Sequence, residues 1–175
     1  NLGLAFVAAG ERKVNLIEEP IVDAKQIHEF KNAINCFKKI IEIKPHDSQA
    51  YNNLGVVFNR IGEIHKSKNY YEKALEIQPS LAEAHSNLGM ILKELGELDR
   101  ARICFEKAVK YKSENFTYLY YLSALNDKIL NLGLKNMIIK IIKKNKSTKK
   151  SMAYANYLLS RYERKEKNYE KELNY

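Results

Sequence analysis

Residues 48–81 read SQAYNNLGVVFNRIGEIHKSKNYYEKALEIQPSL, and residues 82–115 read AEAHSNLGMILKELGELDRARICFEKAVKYKSEN. Laid one under the other at an offset of 34, the two windows share nine identities: Ala50/Ala84, Asn53/Asn87, Leu54/Leu88, Gly55/Gly89, Gly62/Gly96, Glu63/Glu97, Glu72/Glu106, Lys73/Lys107 and Ala74/Ala108. Self-similarity at a fixed period of this length marks a stack of supersecondary units, each too small to bury its apolar face alone.

Each window predicts two helices. In the first, Leu54, Val57, Phe58 and Ile61 recur at helical spacing, and Gly62 suits the left-handed residue that closes a helix. The second helix carries Ile64, Tyr71, Ala74, Leu75 and Ile77, and Pro79 stops it. Ser80 and Glu83 have the spacing of a capping box for the next helix. Gly55 and Gly89 fall in mid-helix, where glycine costs about 1 kcal/mol relative to alanine. That cost is understandable where a second helix packs closely, and Ala74 and Ala108 are the matching small residues. Tyr51, Phe58 and Tyr71 are the large residues that fill the space between pairs.

Tyr51-x2-Leu54-Gly55-x2-Phe58, Ser67-x3-Tyr71 and Pro79, followed by His85-x2-Leu88-Gly89-x2-Leu92 and Ala101-x3-Phe105, resemble the tetratricopeptide repeat. Ser67 stands where the family has Ala, His85 where it has an aromatic residue, and Ser113 where it has Pro. The resemblance implies an all-α fold: a right-handed α-solenoid of antiparallel helix pairs, with divergent helices at the C-terminal end. Leu2-Gly3-x2-Phe6 and Gly10, then Ala33-x3-Phe37 and Pro45, fit an earlier copy over 1–47 with about 18 extra residues near 11–28. There Asp23 is placed to cap a long helix with the apolar face Ile27, Phe30, Ile34, Phe37 and Ile41. The expected organisation is therefore an array over 1–115, in units 1–47, 48–81 and 82–115, and divergent or capping helices over 116–175.

In that last part Tyr118, Leu119, Leu122 and Leu125 continue as a first helix. Ile129 to Ile142 forms another helix without the repeat's spacing. Residues 143–151 are a Lys-rich break, and Met152–Arg164 is helical again. Tyr118-x2-Tyr121-Leu122-Ser123-Ala124-Leu125, Ala153-Tyr154-Ala155-Asn156-Tyr157-Leu158-Leu159 and Asn168-Tyr169-Glu170-Lys171 resemble the junction in bacterial tetratricopeptide-repeat sulfotransferases. That resemblance implies a substrate-recruiting arm of a larger enzyme, catalysis lying downstream; a glycosyltransferase parent is the lesser alternative. The chain begins at Asn1 and ends at Tyr175 within helical patterns, and reads as a fragment.

Composition closes off other classes. The 175 residues are 45% apolar and 29% charged, which argues against disorder. No run of 18 uncharged apolar residues occurs, so no membrane span is expected. Two cysteines cannot build a disulfide framework or a four-cysteine zinc site. Cys36 and Cys104 hold equivalent places two repeats apart, too far for a disulfide, and both read as small buried hydrophobes. His28, His46, His65 and His85 form no metal-binding pair, and His85 reads as a packing residue. No phosphate-binding loop, dinucleotide fingerprint or nucleophile elbow is present. Catalytic residues, cofactors and metals are therefore expected to be none, and the segment is not expected to be an enzyme.

The net charge of +9 lies wholly in 110–175, which holds 15 of the 30 Lys and Arg but only 6 of the 21 Asp and Glu. Its densest run is Lys140, Lys143, Lys144, Lys146, Lys149 and Lys150. Of the 30 basic residues 24 are Lys, whereas nucleic-acid readers favour the planar fork of Arg. The run reads as a solvated helix end and loop, and nucleic acid is not the favoured partner.

The expected working part is a surface. In a helix-pair solenoid the first helices line the concave groove. The face opposite the apolar stripe carries Gln49, Asn52, Asn53, Val56, Asn59 and Arg60, and one repeat later Glu83, Ser86, Asn87, Met90, Lys93 and Glu94. Asn1 falls in phase with Asn53 and Asn87. An amide offers donor and acceptor together, so an asparagine ladder can pair with an extended peptide backbone. It is similar to the asparagine-lined groove of the repeat region of O-linked N-acetylglucosamine transferase. The expectation is a scaffold that binds a protein or extended peptide in its groove, acting as a monomer, with a cytoplasmic location inferred from cysteine usage and the absence of any anchor.

Overall fold

The computed structural model describes residues 24–143 and 149–166. Among them are eight α-helices: α1 (Ala24–Ile43), α2 (Ser48–Arg60), α3 (Ile64–Ile77), α4 (Ala82–Glu94), α5 (Leu98–Tyr111), α6 (Phe116–Leu125), α7 (Leu132–Lys143) and α8 (Lys149–Lys165). A single 3₁₀ turn, Asp127–Ile129, follows α6. No strand occurs among the described residues. The upstream copy at 1–10, the insertion up to residue 23 with its capping Asp23, Lys144, Lys146 and the stretch after 166 lie outside them.

The turns within the two repeats are built alike. Gly62 and Gly96 adopt φ of 87° and 78°, which an L side chain tolerates poorly. Around Gly62, Glu63 N–H donates to Phe58 O at 2.9 Å and Gly62 N–H to Asn59 O at 3.0 Å. Around Gly96, Glu97 N–H donates to Leu92 O at 2.8 Å and Gly96 N–H to Lys93 O at 3.1 Å. This is the Schellman pairing, and it satisfies carbonyls that the helix end leaves orphaned. The second helices also end in step: α3 at Ile77 before Pro79, and α5 at Tyr111 although Ser113 replaces the proline.

The first helices start differently from the expectation. Asp47 caps α2, its Oδ1 accepting from Ala50 N–H at 2.9 Å. Asn115 caps α6 by accepting from Thr117 N–H at 2.9 Å. Between them, 34 residues from each, stands Leu81, which caps α4 with no side-chain hydrogen bond. Leu81 is buried against Ala74 and Ala84, so packing occupies the position that a polar cap holds elsewhere. The Ser80–Glu83 capping box does not form, because Ser80 lies one residue outside the cap.

Packing explains the repeat's small residues. A Cβ on Gly55 would sit 2.5 Å from Tyr71 Cε1, and one on Gly89 would sit 2.8 Å from Phe105 Cε1. Each first helix thus lies directly on an aromatic ring of its own second helix. Ser67, fully buried where the family has Ala, donates its hydroxyl to Gly55 O at 2.8 Å, so the polar group is satisfied. The central core joins Tyr71, Leu88, Ile91, Leu92, Ala101, Cys104, Phe105 and Leu122, which ties α3 through α6 together. Fully burying a large apolar side chain contributes roughly 1.5–3 kcal/mol.

The divergent end has its own core of Phe116, Leu119, Leu130, Ile138, Ala155, Leu158 and Leu159. The helix expected over 129–142 is split: Ile129 closes the 3₁₀ turn and α7 begins only at Leu132. Asn126 and Asn131 drive the split. Asn126 Oδ1 accepts from Lys128 N–H at 3.2 Å, and Asn131 Oδ1 accepts from Leu134 N–H at 3.0 Å. Both side chains satisfy backbone donors locally and so favour a new helix start. At the other end of the array, α1 packs on α2 and carries Phe30, Ile34, Phe37 and Ile41 half-buried, while Ile27 is exposed.

Candidate partner-binding surface

The first helices α2, α4 and α6 come from equivalent thirds of the repeat. Of the twelve positions expected to line a groove, Gln49, Asn59, Arg60, Glu83, Met90, Lys93 and Glu94 are exposed, and Asn53, Val56 and Asn87 are half-buried. Asn52 and Ser86 are buried, at 3% and 5% exposure, and are corrected from surface to interior. They occupy equivalent positions on the side of each first helix that turns into the array. Asn52 is used there: its Oδ1 accepts from Asn87 Nδ2 at 3.0 Å, which joins α2 to α4. Among the described residues Asn53 makes no side-chain hydrogen bond, and its amide remains open. Glu83 faces the α5–α6 turn, where Lys112 Nζ lies 3.8 Å away. Beside it the Tyr118 phenol is pushed up to about 12, chiefly by burial and further by the Glu83 charge.

The first-helix side continues one helix beyond the twelve expected positions. Another step of 34 carries Asn52/Asn53 and Ser86/Asn87 to Tyr120/Tyr121 on α6. Both tyrosines are half-buried, and Tyr121 stacks on Phe105 with centroids 5.4 Å apart. α8 packs on α6 and adds Tyr154 and Tyr157, whose centroids lie 5.0 and 5.1 Å from Tyr120. The same 34-residue offset was the available signal for Tyr120 and Tyr121. None existed for Tyr157, because α8 does not follow the repeat's motif.

The remaining candidates resolve as packing or as solvent-facing charge. His85 is buried, its ring 5.8 Å from that of Tyr111 and its Nε2 2.9 Å from Pro79 O. No group of three or more His, Cys, Asp or Glu among the described residues is arranged to hold a metal ion. Cys104 is buried, and burial raises its thiol pKa. Cys36 is exposed and is corrected from buried: it lies on α1, at the start of the described array, away from the face that α2 covers. Lys140 and Lys143 sit in the last turn of α7, where a cation complements the helix dipole. No described helix is long and apolar enough to cross a membrane.

Comparison with known proteins agrees with this architecture. Residues 47–114 match the tetratricopeptide repeat family model. No curated protein matches the chain in sequence. Among solved structures, the first TPR of Spaghetti (RPAP3) bound to HSP90 peptide SRMEEVD is similar at 18% identity and a TM-score of 0.54, covering 61% of this chain and 85% of that one. The crystal structure of MamA is similar at 20% identity and a TM-score of 0.57, covering 90% of this chain and 91% of that one. The family match ends before residues 116–175, on which the sulfotransferase likeness rests. Residues 47–114 thus match the tetratricopeptide repeat model, and the described chain has the all-α solenoid fold of these structures.

Proposed function

We propose that this chain is a protein-interaction module that holds an extended peptide, or an extended segment of a partner protein, along the groove of its first helices. The observation that carries the reading is the alignment of Asn53, Asn87 and Tyr121 at equal steps on α2, α4 and α6, with the Asn52–Asn87 bond holding α2 and α4 in register. Asn53 offers an open amide, and Met90, 37% exposed, offers a soft apolar contact between the polar positions. Affinity for backbone through amides and for side chains through Met90 and the tyrosines suits a chain without secondary structure of its own. The peptide held by the similar RPAP3 domain supports an occupant of this kind.

The test is site-specific photo-crosslinking. A benzophenone side chain is placed at 53 or 90 on the first-helix side, and at exposed Lys73 on the second-helix side as the comparison. Adducts with partner protein should form from positions 53 and 90 and be scarce from 73. Equal yields from all three positions, or adducts from 73 alone, would overturn the reading.

A further inference from the structure

Helix α1 exposes a face that both later units bury. One step of 34 carries Ala33, Cys36, Phe37 and Ile40 of α1 to Ser67, Tyr70, Tyr71 and Ala74 of α3. A second step carries them to Ala101, Cys104, Phe105 and Ala108 of α5. In those two units the first helix covers these positions. Ser67 donates to Gly55 O, Tyr70 stacks on Phe58 with centroids 5.1 Å apart, and Tyr71 and Phe105 lie under Gly55 and Gly89. Ser67, Ala74, Ala101, Phe105 and Ala108 are all 0% exposed. On α1, Ala33 and Phe37 are only half-buried, and among the described residues Cys36 and Ile40 are exposed. α2 packs on the other side of α1, as α4 packs on α3.

We propose that this face of α1 is a helix seat and that its occupant is residues 2–10 of the same chain. The proposal does not depend on what lies in the groove. The first support is residue spacing. Leu2, Gly3, Phe6 and Gly10 stand a constant 52 residues before Leu54, Gly55, Phe58 and Gly62. The segment thus carries the residues with which α2 covers α3. Gly3 would lie on Phe37 as Gly55 lies on Tyr71, where a Cβ leaves no room for the ring. Phe6 would lie on Cys36 as Phe58 lies on Tyr70. The second support is composition. Residues 2–9, LGLAFVAA, hold no polar or charged side chain, so the segment is driven toward cover.

The third support is reach, and it favours this chain over a second copy. α1 begins at Ala24, six residues before Phe30, the position that matches the first residues of α3 and α5, Ile64 and Leu98. Those six residues lengthen α1 by about 9 Å. Residues 11–23 can span roughly 40 Å, so the connection is long enough to run back along the extra turns. A tether of this kind holds its segment at an effective concentration on the order of millimolar. A second copy at micromolar concentration competes poorly with that. The later units join their helices through three residues each, 61–63 and 95–97. The longer connection lets the segment leave its seat while the rest of the array stays folded.

Cys36 is the reporter, and the experiment is thiol labelling of the full chain with a coloured aromatic disulfide. Cys36 should be shielded in the wild type. Gly3→Leu, whose side chain would strike Phe37, should speed its labelling about tenfold by unseating the segment. Cys104, buried in the core that joins α3 to α6, should stay equally slow in both, which shows that the array remains folded. In a second measurement, Phe6→Cys treated with a short bismaleimide should give a 6–36 link within one chain. Val7→Cys, rotated by about 100° on a helix, should give far less. Labelling of Cys36 that is fast and equal in the wild type and Gly3→Leu would overturn the proposal. Slow labelling in both, with no 6–36 link, would also overturn it, because another element would then cover the face. Links that join two chains would overturn the cis occupant and assign the seat to a second copy.

Discussion

The side-chain amide of Asn87 on α4 donates across 3.0 Å to the buried Oδ1 of Asn52 on α2. The identical pair in the repeat is Asn53/Asn87, yet the hydrogen bond runs from Asn87 to the neighbour of Asn53. One asparagine of the repeat, Asn52, therefore serves the contact between units, and the adjacent Asn53 makes no side-chain hydrogen bond among the described residues. Asn87→Ala leaves a buried acceptor without its donor and should destabilise the fold by about 1–3 kcal/mol. Asn53→Ala should change stability by less than about 0.5 kcal/mol. Urea unfolding of both variants separates the roles, and equal stabilities would contradict the assignment.

The glycines divide into two kinds that substitution will tell apart. Gly89→Ala gains about 1 kcal/mol of helix propensity, but its methyl would meet the Phe105 ring at 2.8 Å. Overpacking costs of about 1–3 kcal/mol should outweigh the gain. Adding Phe105→Leu should return part of the loss, because the shorter side chain vacates the contact. At Gly62 a Cβ meets nothing within 4 Å, but φ is 87°. Gly62→Ala should therefore destabilise by roughly 1–2 kcal/mol, the cost of a left-handed L residue, and no second-site truncation should rescue it. Thermal melts of the two single variants and the double variant provide the check.

His85 makes the array sensitive to acid. Its Nε2–H donates to the Pro79 carbonyl, which leaves Nδ1 as a buried acceptor with no partner. Burial holds its pKa below the ordinary histidine value; the Pro79 carbonyl opposes the shift and the Lys107 charge adds to it. The neutral ring is thus the folded form. As pH falls through about 6.5, the unfolded chain binds a proton that the folded chain resists. This contribution to stability is constant above that pH and is lost as pH drops toward the folded value. Urea midpoints measured from neutral pH to about pH 5 should fall more steeply for the wild type than for His85→Phe. Parallel curves would show that His85 titrates alike in both states.

The helix pairs were readable because their signals are local. A glycine on a helix flank, a small residue opposite it and a left-handed glycine at the end each report a packing or turn constraint within one repeat. Asn52 and Asn53 were not separable in this way. Adjacent helical residues differ by about a 100° rotation, and only the neighbouring helix decides which of them is covered. Cys36 failed for the same reason, since its repeat equivalence to Cys104 says nothing about what packs outside α1. The apparent capping box at Ser80 and Glu83 was a local pattern in conflict with the repeat. The series Asp47, Leu81 and Asn115 marks the true cap, and comparison along the period would have found it. Tyr157 had no such route, because the 3₁₀ turn and α7 interrupt the period before α8 returns to α6.

A buried charge pair joins α7 to α8 beside the apolar core of the divergent end, and its removal has an asymmetric outcome. Glu163 on α8 is 1% exposed, and its carboxylate is hydrogen-bonded to Lys135 Nζ on α7. The ammonium also lies 5.0 Å from the Tyr162 ring centroid. Lys135→Met removes the cation and leaves the carboxylate in the interior, which should cost about 3–5 kcal/mol. Replacing both partners with apolar residues removes the desolvation problem along with the attraction, so Lys135→Met with Glu163→Leu should unfold near the wild-type midpoint or above it. The coupling energy from the double-mutant cycle would then be large and of the sign that marks a partner left unpaired. If the double variant is as unstable as the single one, α7 and α8 are held by the shape of the ion pair and not by its charge balance.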